Sequence, residues 1–168
     1  KLLRLVKNTT VGDKVRDDKN TESNLKKVRT STLLRRLFKA PDLEGFMVKN
    51  AEDLQTPVFN EYIKELCYMT KQVPERVIKN ASIERTYGHQ LFNGTRKPSR
   101  DKVIQLAFGF GLDVEGTQHL LRIAQKSPLY PRIKRDAAIL YCLNNHIDIV
   151  GVQNLLFNLE LTLLGGDS

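Results

Sequence analysis

The sequence contains few of the residues from which catalytic and metal sites are built. Its 168 residues include two cysteines and three histidines. Cys67 and Cys142 each lie in an apolar helical pattern, which is typical of buried, reduced thiols and argues against a disulfide framework or a zinc site. His89, His119 and His146 are scattered, without a nucleophile motif, a glycine-rich phosphate loop or a cluster of carboxylates. We therefore expect no catalytic residue, no metal and no cofactor.

Long apolar runs are also missing. No segment approaches the roughly eighteen residues of a membrane-spanning helix, and the apolar patch in KLLRLVKNTT at 1–10 is too short and too interrupted for a signal peptide. With 40% hydrophobic and 27% charged residues, the composition is ordinary for a folded globular domain. The sequence therefore predicts a folded protein of the cytoplasm.

Positive charge is abundant but unevenly distributed. Residues 71–102 carry 8 Lys or Arg against 3 Asp or Glu, and residues 1–39 carry 12 against 4. Residues 40–70 carry 2 against 6, and residues 103–168 carry 5 against 6. Two basic segments are expected of a protein that faces polyanionic phosphate. Because a solvated basic surface would give the same counts, the charge leaves both interpretations open.

The pattern of apolar residues predicts helices and no strands. Residues 1–30 are polar and without a period, so we expect a flexible basic N-terminal arm. Residues 31–56 carry two short helical stripes. A third helix is predicted over roughly 57–70, with Thr56 as its cap and Pro57 at its first position.

A duplication follows in the C-terminal part of the chain. The segment RDKVIQLAFGFGLDVEGTQHLL at 100–121 aligns without gaps to RDAAILYCLNNHIDIVGVQNLL at 135–156. Each copy reads as a helix, a turn, an aspartate N-cap (Asp113 or Asp148) and a second helix. We expect a tandem helical hairpin that extends the core and serves partner binding or self-association.

Between these parts, PERVIKNASIERTYGHQLFNG at 74–94 predicts two short helices joined by a turn near Ala81-Ser82-Ile83. Spacing of about 100° per residue sorts the second helix into two faces. The polar face holds Arg85, Thr86, His89, Gln90 and Asn93, and the other holds Glu84, Tyr87, Gly88, Leu91 and Phe92. Asn93-Gly94 then supplies a left-handed end to the helix.

These residues resemble the lambda-repressor-like, or Xre/Cro-type, helix-turn-helix proteins of bacteria and phages. The resemblance is carried by the two-helix spacing, by Leu-Phe-Asn-Gly at the end of the second helix and by the Thr-Arg-Lys-Pro that follows. It implies an all-α protein, a lambda-repressor-like helix-turn-helix bundle over 57–112 extended by the duplicated hairpin over 113–168. The implied function is sequence-specific DNA binding in transcription regulation.

Carried over by position, the resemblance makes residues 84–93 a recognition helix in the major groove of double-stranded DNA. The expected base contacts come from Arg85, Thr86, His89 and Gln90. The expected phosphate contacts come from Asn93, Thr95, Arg96, Lys97 and Arg100.

The chain departs from the family pattern at three positions: Ile78 stands where alanine is usual, Ser82 where the turn glycine is usual, and Gly88 where an apolar residue is usual. The last change leaves a packing slot that Tyr87 could fill. A protein-interaction module that keeps the fold but binds a protein partner is the alternative function. The apolar helix predicted over 152–164 could supply a homodimer surface, or its leucines could be core.

Overall fold

The computed structural model describes residues 28–166, and all regular structure within that range is α-helical. The nine helices of this part of the chain are α1 (Thr30–Lys39), α2 (Leu43–Lys49), α3 (Phe59–Met69), α4 (Pro74–Asn80), α5 (Arg85–Asn93), α6 (Arg100–Phe110), α7 (Val114–Ile123), α8 (Lys134–Asn144) and α9 (Ile149–Asn158). The predicted all-α class is confirmed. The basic arm predicted over 1–30 falls, except for its last three residues, outside the described residues.

The described chain forms two compact units, 28–56 and 57–166. In the first, α1 and α2 form where the apolar stripes predicted them. Phe46 and Asn50 are the only residues of this unit that are buried, and Phe38 of the α1 stripe remains 77% exposed. The apolar stripe on α1 therefore predicted the helix correctly, but its residues do not form a buried core.

Helix α3 begins later than the sequence predicted. The helix starts at Phe59, its N-cap position is taken by Val58, and no side chain caps it. Pro57 therefore lies before the helix and Thr56 is not its cap. Because proline disfavours helical backbone in the residue that precedes it, Thr56 favours an extended conformation, and the boundary between the two units falls between these two residues.

The core of the second unit is centred on α6, whose residues from Val103 to Phe110 are all buried. Helix α4 packs closely against it at Gly109, where a Cβ would clash with the Val77 carbonyl oxygen. Gly111 ends α6 with a φ of 71°, a left-handed conformation that glycine adopts readily. Helix α3 packs on α5, and α7 on α6, so α3 to α7 share one core.

The two hairpins α6–α7 and α8–α9 confirm the predicted aspartate caps. Asp113 accepts a hydrogen bond from the Gly116 N–H at 2.8 Å, and Asp148 accepts one from the Gly151 N–H at 2.9 Å. The helix predicted over 152–164 is wrong at its C-terminal end. Helix α9 ends at Asn158, because Glu160 adopts a φ of 57° and the chain turns away from the helix axis.

Two reciprocal ion pairs join the copies of the repeat. Arg100 of the first copy donates to Asp136 of the second at 2.9 Å, and Arg135 of the second donates to Asp101 of the first at 2.9 Å. Asp136 is only 2% exposed, so its charge is compensated inside the protein. In this reciprocal arrangement each copy uses the same residues to hold the other, as in an isologous interface between two subunits.

The other hydrogen bonds of Arg100 and Arg135 also go to equivalent residues of the two copies. Arg100 also donates to the carbonyl oxygens of Ser127 and Pro128, and Arg135 donates to those of Thr162 and Leu163. Burial alone would raise the pKa of Asp101, but hydrogen bonds from Arg135 and from the Gly165 N–H hold that pKa below its ordinary value. The duplication is therefore visible in side-chain chemistry as well as in the path of the chain.

The glutamines of the two copies also hold equivalent segments. The side-chain amide of Gln118 both donates to and accepts from the Leu129 backbone, at 2.8 Å in each direction. Gln153 makes the same pair of hydrogen bonds to Leu164, at 2.9 and 2.8 Å. Within residues 28–166, every fully buried side-chain nitrogen or oxygen has a hydrogen-bond partner.

Candidate nucleic-acid interface

Helices α4 and α5 are joined by a tight turn at the position that the sequence predicted. The Ile83 N–H donates to the Ile78 carbonyl at 3.2 Å, and the Ser82 N–H donates to the Lys79 carbonyl at 3.0 Å. Ser82 adopts a φ of 54°, a conformation that glycine takes more readily. The turn is therefore formed without the glycine that its geometry favours.

The two predicted faces of α5 are confirmed, except that Glu84, which was placed on the core side, is exposed. Gly88, Leu91 and Phe92 are buried against the core. On the other side, Arg85, Thr86 and Asn93 are exposed, and His89 and Gln90 are half-buried. Gly94 ends the helix with a φ of 83°, as the Asn-Gly pair predicted. One side of a nine-residue helix thus carries only polar groups that face away from the core.

Ile78 fills the slot that Gly88 leaves, and the suggestion that Tyr87 fills it is wrong. A Cβ on Gly88 would lie 2.7 Å from Cγ1 and 2.9 Å from Cδ1 of Ile78. Ile78 is 2% exposed, so its side chain is enclosed between α4 and α5. The larger residue on α4 and the smaller residue on α5 therefore compensate each other, and two of the three departures from the family pattern form one contact.

Tyr87 instead supports two cations. The Arg96 guanidinium carbon lies 4.6 Å from the centre of the Tyr87 ring, and Lys102 Nζ lies 5.3 Å from it. Cations within about 6 Å of an aromatic face are attracted to it. Sequence reasoning did not identify Lys102, because its distance from Tyr87 along the chain follows no helical period.

Two of the expected base-contacting residues share one carboxylate on α4. Arg85 Nε lies 2.7 Å from Oε1 of Glu75, and His89 Nε2 lies 2.6 Å from Oε2 of the same residue. These hydrogen bonds, from His89 first and then from Arg85, hold the pKa of Glu75 below its ordinary value. The sequence analysis did not identify Glu75 as a site residue. The one available indication was an acidic side chain in the first turn of the helix that precedes the predicted recognition helix.

The other two expected base-contacting residues lie beside Arg85 and His89 on α5. The Glu84 carboxylate caps α5 by accepting from the N–H groups of Thr86 and Tyr87, which lowers its pKa. Gln90 Oε1 accepts a hydrogen bond from Arg96 Nε at 2.9 Å. This contact fixes the side chain of Gln90 to the loop that follows the helix.

Four of the five expected phosphate-contacting residues lie at the end of α5 and in the loop after it. The Asn93 side chain accepts from the backbone N–H and the hydroxyl of Thr95, which folds the loop back on the helix. Arg96 and Lys97 are exposed beside it. Arg100 lies apart from them, since its guanidinium is engaged by Asp136 and by the carbonyls that follow α7.

Comparison with protein-family models, with curated proteins and with solved structures finds no match to this chain. No described helix is long and apolar enough to cross a membrane. Within the described residues, no three His, Cys, Asp or Glu side chains are grouped closely enough to hold a metal ion.

Proposed function

We propose that this protein is a sequence-specific DNA-binding transcriptional regulator, in which α4 and α5 form a helix-turn-helix and α5 enters the major groove. The observation that carries the proposal is the division of α5 into a buried apolar side and a polar side turned away from the core. Nine helical residues extend about 14 Å, and the major groove is about 12 Å wide and accepts one α-helix.

Arg85 is the principal base-reading residue in this proposal. Its contact with Glu75 uses Nε, whereas the two terminal nitrogens have no hydrogen-bond partner among the described residues. The terminal nitrogens of arginine are suited to the O6 and N7 acceptors of guanine. Gln90 is suited to adenine, and Thr86 and His89 complete the reading surface.

Phosphate contacts are assigned to the end of α5 and the loop after it. Asn93, Thr95, Arg96 and Lys97 lie together there, and Lys102 adds a further cation through its position over Tyr87. Such contacts set the position of a protein on the duplex without reading its sequence. Arg100 has no part in this assignment, because its donors are directed to the second hairpin.

We further propose that two copies associate through α9, so that two α5 helices read paired half-sites. Phe157, which is 71% exposed, and Val150, seven residues before it, lie on the same side of α9. An isologous contact through this side would bury both residues in each copy.

The decisive experiment selects bound sequences from random duplex DNA and then measures their affinity over a range of salt concentrations. Arg85→Ala is expected to relax the preference and to weaken binding to the selected site by about 1–3 kcal/mol. Arg132→Ala, an exposed residue between the two hairpins, removes the same charge and is the matched control. Selection that yields no preferred sequence, or a preference that survives the loss of Arg85, would exclude α5 as the reader.

A protein-interaction module is the second candidate, and it is favoured by the contacts that polar groups of α5 already make. Arg85 and His89 bind Glu75, and Gln90 binds Arg96, so these groups have partners within the chain. Pro74 also begins α4 without an N–H that could bind phosphate. The same binding series separates the two functions, because a module of this kind would show neither sequence enrichment nor a steep dependence on salt.

A further inference from the structure

The first unit contains a groove of about 560 Å³ between α1 and α2. Four of its lining residues are cationic, namely Arg35, Arg36, Lys39 and Lys49, and one is a carboxylate, Asp42. Its floor includes Phe46, which is buried. A volume of this size falls within the range of small-molecule sites in proteins, so the groove is large enough to hold a group of nucleotide size.

No ion pair within the described part of the chain neutralises the four cations of this groove. Asp42 accepts a hydrogen bond from the Gly45 N–H at 2.6 Å and thereby caps α2. None of the four cations forms an ion pair with any residue between 28 and 166. Arg35 and Lys39 stand four residues apart on α1, a spacing at which like charges destabilise a helix.

Helix stability explains only part of this arrangement. Lys39 lies in the last turn of α1 and Lys49 in the last turn of α2, where cations interact favourably with the helix dipole. That effect acts on each helix separately. It gives no reason for cations from both helices to line one cavity, whereas a polyanionic ligand does.

The guanidinium of Arg36 is held in place before any ligand arrives. Its Nη1 donates to Asn50 Oδ1 at 3.1 Å, and Asn50 Nδ2 donates in turn to the Phe46 carbonyl at 2.8 Å. Asn50 is 6% exposed, so this support is part of the small core of the unit. A guanidinium fixed in this way loses less conformational entropy when it binds an anion.

We infer that the groove between α1 and α2 binds phosphate groups. Arginine forks match the geometry of phosphate oxygens, and lysines add charge without a fixed geometry. A free nucleotide or the backbone of a nucleic acid can supply this chemistry. The inference does not depend on α5, because the groove lies wholly within 28–56 and the proposed reading surface lies within 74–102.

The test uses the full chain and three probes: inorganic pyrophosphate, a fluorescent ATP analogue and a labelled duplex of random sequence. The groove variant is Arg35→Ala with Lys39→Ala. The control variant, Lys64→Ala with Lys134→Ala, removes the same charge from two exposed positions outside the groove. Lys49→Ala supplies a second groove variant on the other helix, and thermal unfolding by circular dichroism establishes that each variant is folded.

The groove variant is expected to lose at least about tenfold in affinity for one of the probes, while the control changes little. Loss of pyrophosphate and nucleotide binding identifies a free phosphate ligand. Weaker duplex binding, with a salt slope reduced by about two, identifies a nucleic-acid backbone. Equal effects of the groove and control variants on all three probes would overturn the inference. If Arg85→Ala leaves DNA selection unchanged while pyrophosphate still binds, the proposal that α5 reads DNA is refuted and the inference of a phosphate-binding groove is retained.

Discussion

Because Gly88 and Ile78 are in contact, Gly88→Ala is expected to destabilise the native protein but to stabilise a variant in which Ile78 is replaced by alanine. In the native chain, alanine at 88 gains about 1 kcal/mol of helix propensity over glycine. Its Cβ would be placed within 3 Å of the Ile78 side chain, and such overpacking costs about 1–3 kcal/mol. Because Ile78 is β-branched and buried, it has little freedom to move away. Gly88→Ala should therefore lower the free energy of unfolding by about 1 kcal/mol.

Ile78→Ala alone should cost about 2–5 kcal/mol through the cavity that it leaves. In that background the added methyl group meets free space, so Gly88→Ala should stabilise by about 1 kcal/mol. Urea unfolding followed by circular dichroism measures all four members of the cycle. Gly151→Ala is the matched control, since its Cβ would clash with Ile147 and not with Ile78. Additive effects of Gly88→Ala and Ile78→Ala would refute the compensation.

Three further outcomes are expected. Glu75→Gln should raise the affinity for random duplex DNA and reduce the ratio of specific to random binding. The reason is that a negative charge disappears and the amide has one acceptor oxygen where the carboxylate uses two, for Arg85 and for His89. Unchanged fluorescence anisotropy titrations would contradict this. Ser82→Gly should raise the free energy of unfolding by up to about 1 kcal/mol by removing strain at a positive φ, and a lower urea midpoint would count against it. Since the pKa of Asp101 is depressed in the folded state, its contribution is present above the ordinary aspartate pKa of about 4 and is lost as pH falls through the folded value. Asp101→Asn should flatten that acid limb of a stability-versus-pH curve, and an unchanged limb would exclude the assignment.

Local signals predicted most of the helices. The apolar period and the Asn-Gly stop located α5, and aspartates three residues before a glycine located the starts of α7 and α9. These features depend on residues that are close in sequence. The end of α9 did not follow from such signals, because the apolar run continues to Leu164. Leu164 is held by Gln153 in a turn after the helix, and the sequence does not reveal this partner eleven positions away.

The contacts of the candidate site were harder to predict, because they join residues on different helices. The polar face of α5 could be identified from spacing alone, but neither the compensation of Gly88 by Ile78 nor the binding of Arg85 and His89 by Glu75 follows from any period. In the repeat, the identical Arg-Asp pairs that begin each copy marked the right residues. Their partners emerged only with the fold, since each arginine pairs with the aspartate of the other copy.

Helix α6 belongs to the first copy of the repeat and also supports the candidate interface. The second role depends on Gln105, which differs from its equivalent in the second copy. Gln105 is buried and donates to the carbonyls of Ala81 and Ser82, at 3.2 and 3.4 Å, in the turn between α4 and α5. The residue equivalent to Gln105 in the second copy, 35 positions later, is Leu140, which is partly buried and apolar. The first copy therefore has a polar side chain that binds the turn between α4 and α5, whereas the second copy has an apolar side chain at the equivalent position. Because the same helix begins with Arg100, whose guanidinium is fixed to Asp136, the ion-pair exchange between the hairpins and the turn that positions α5 are built on one rigid element.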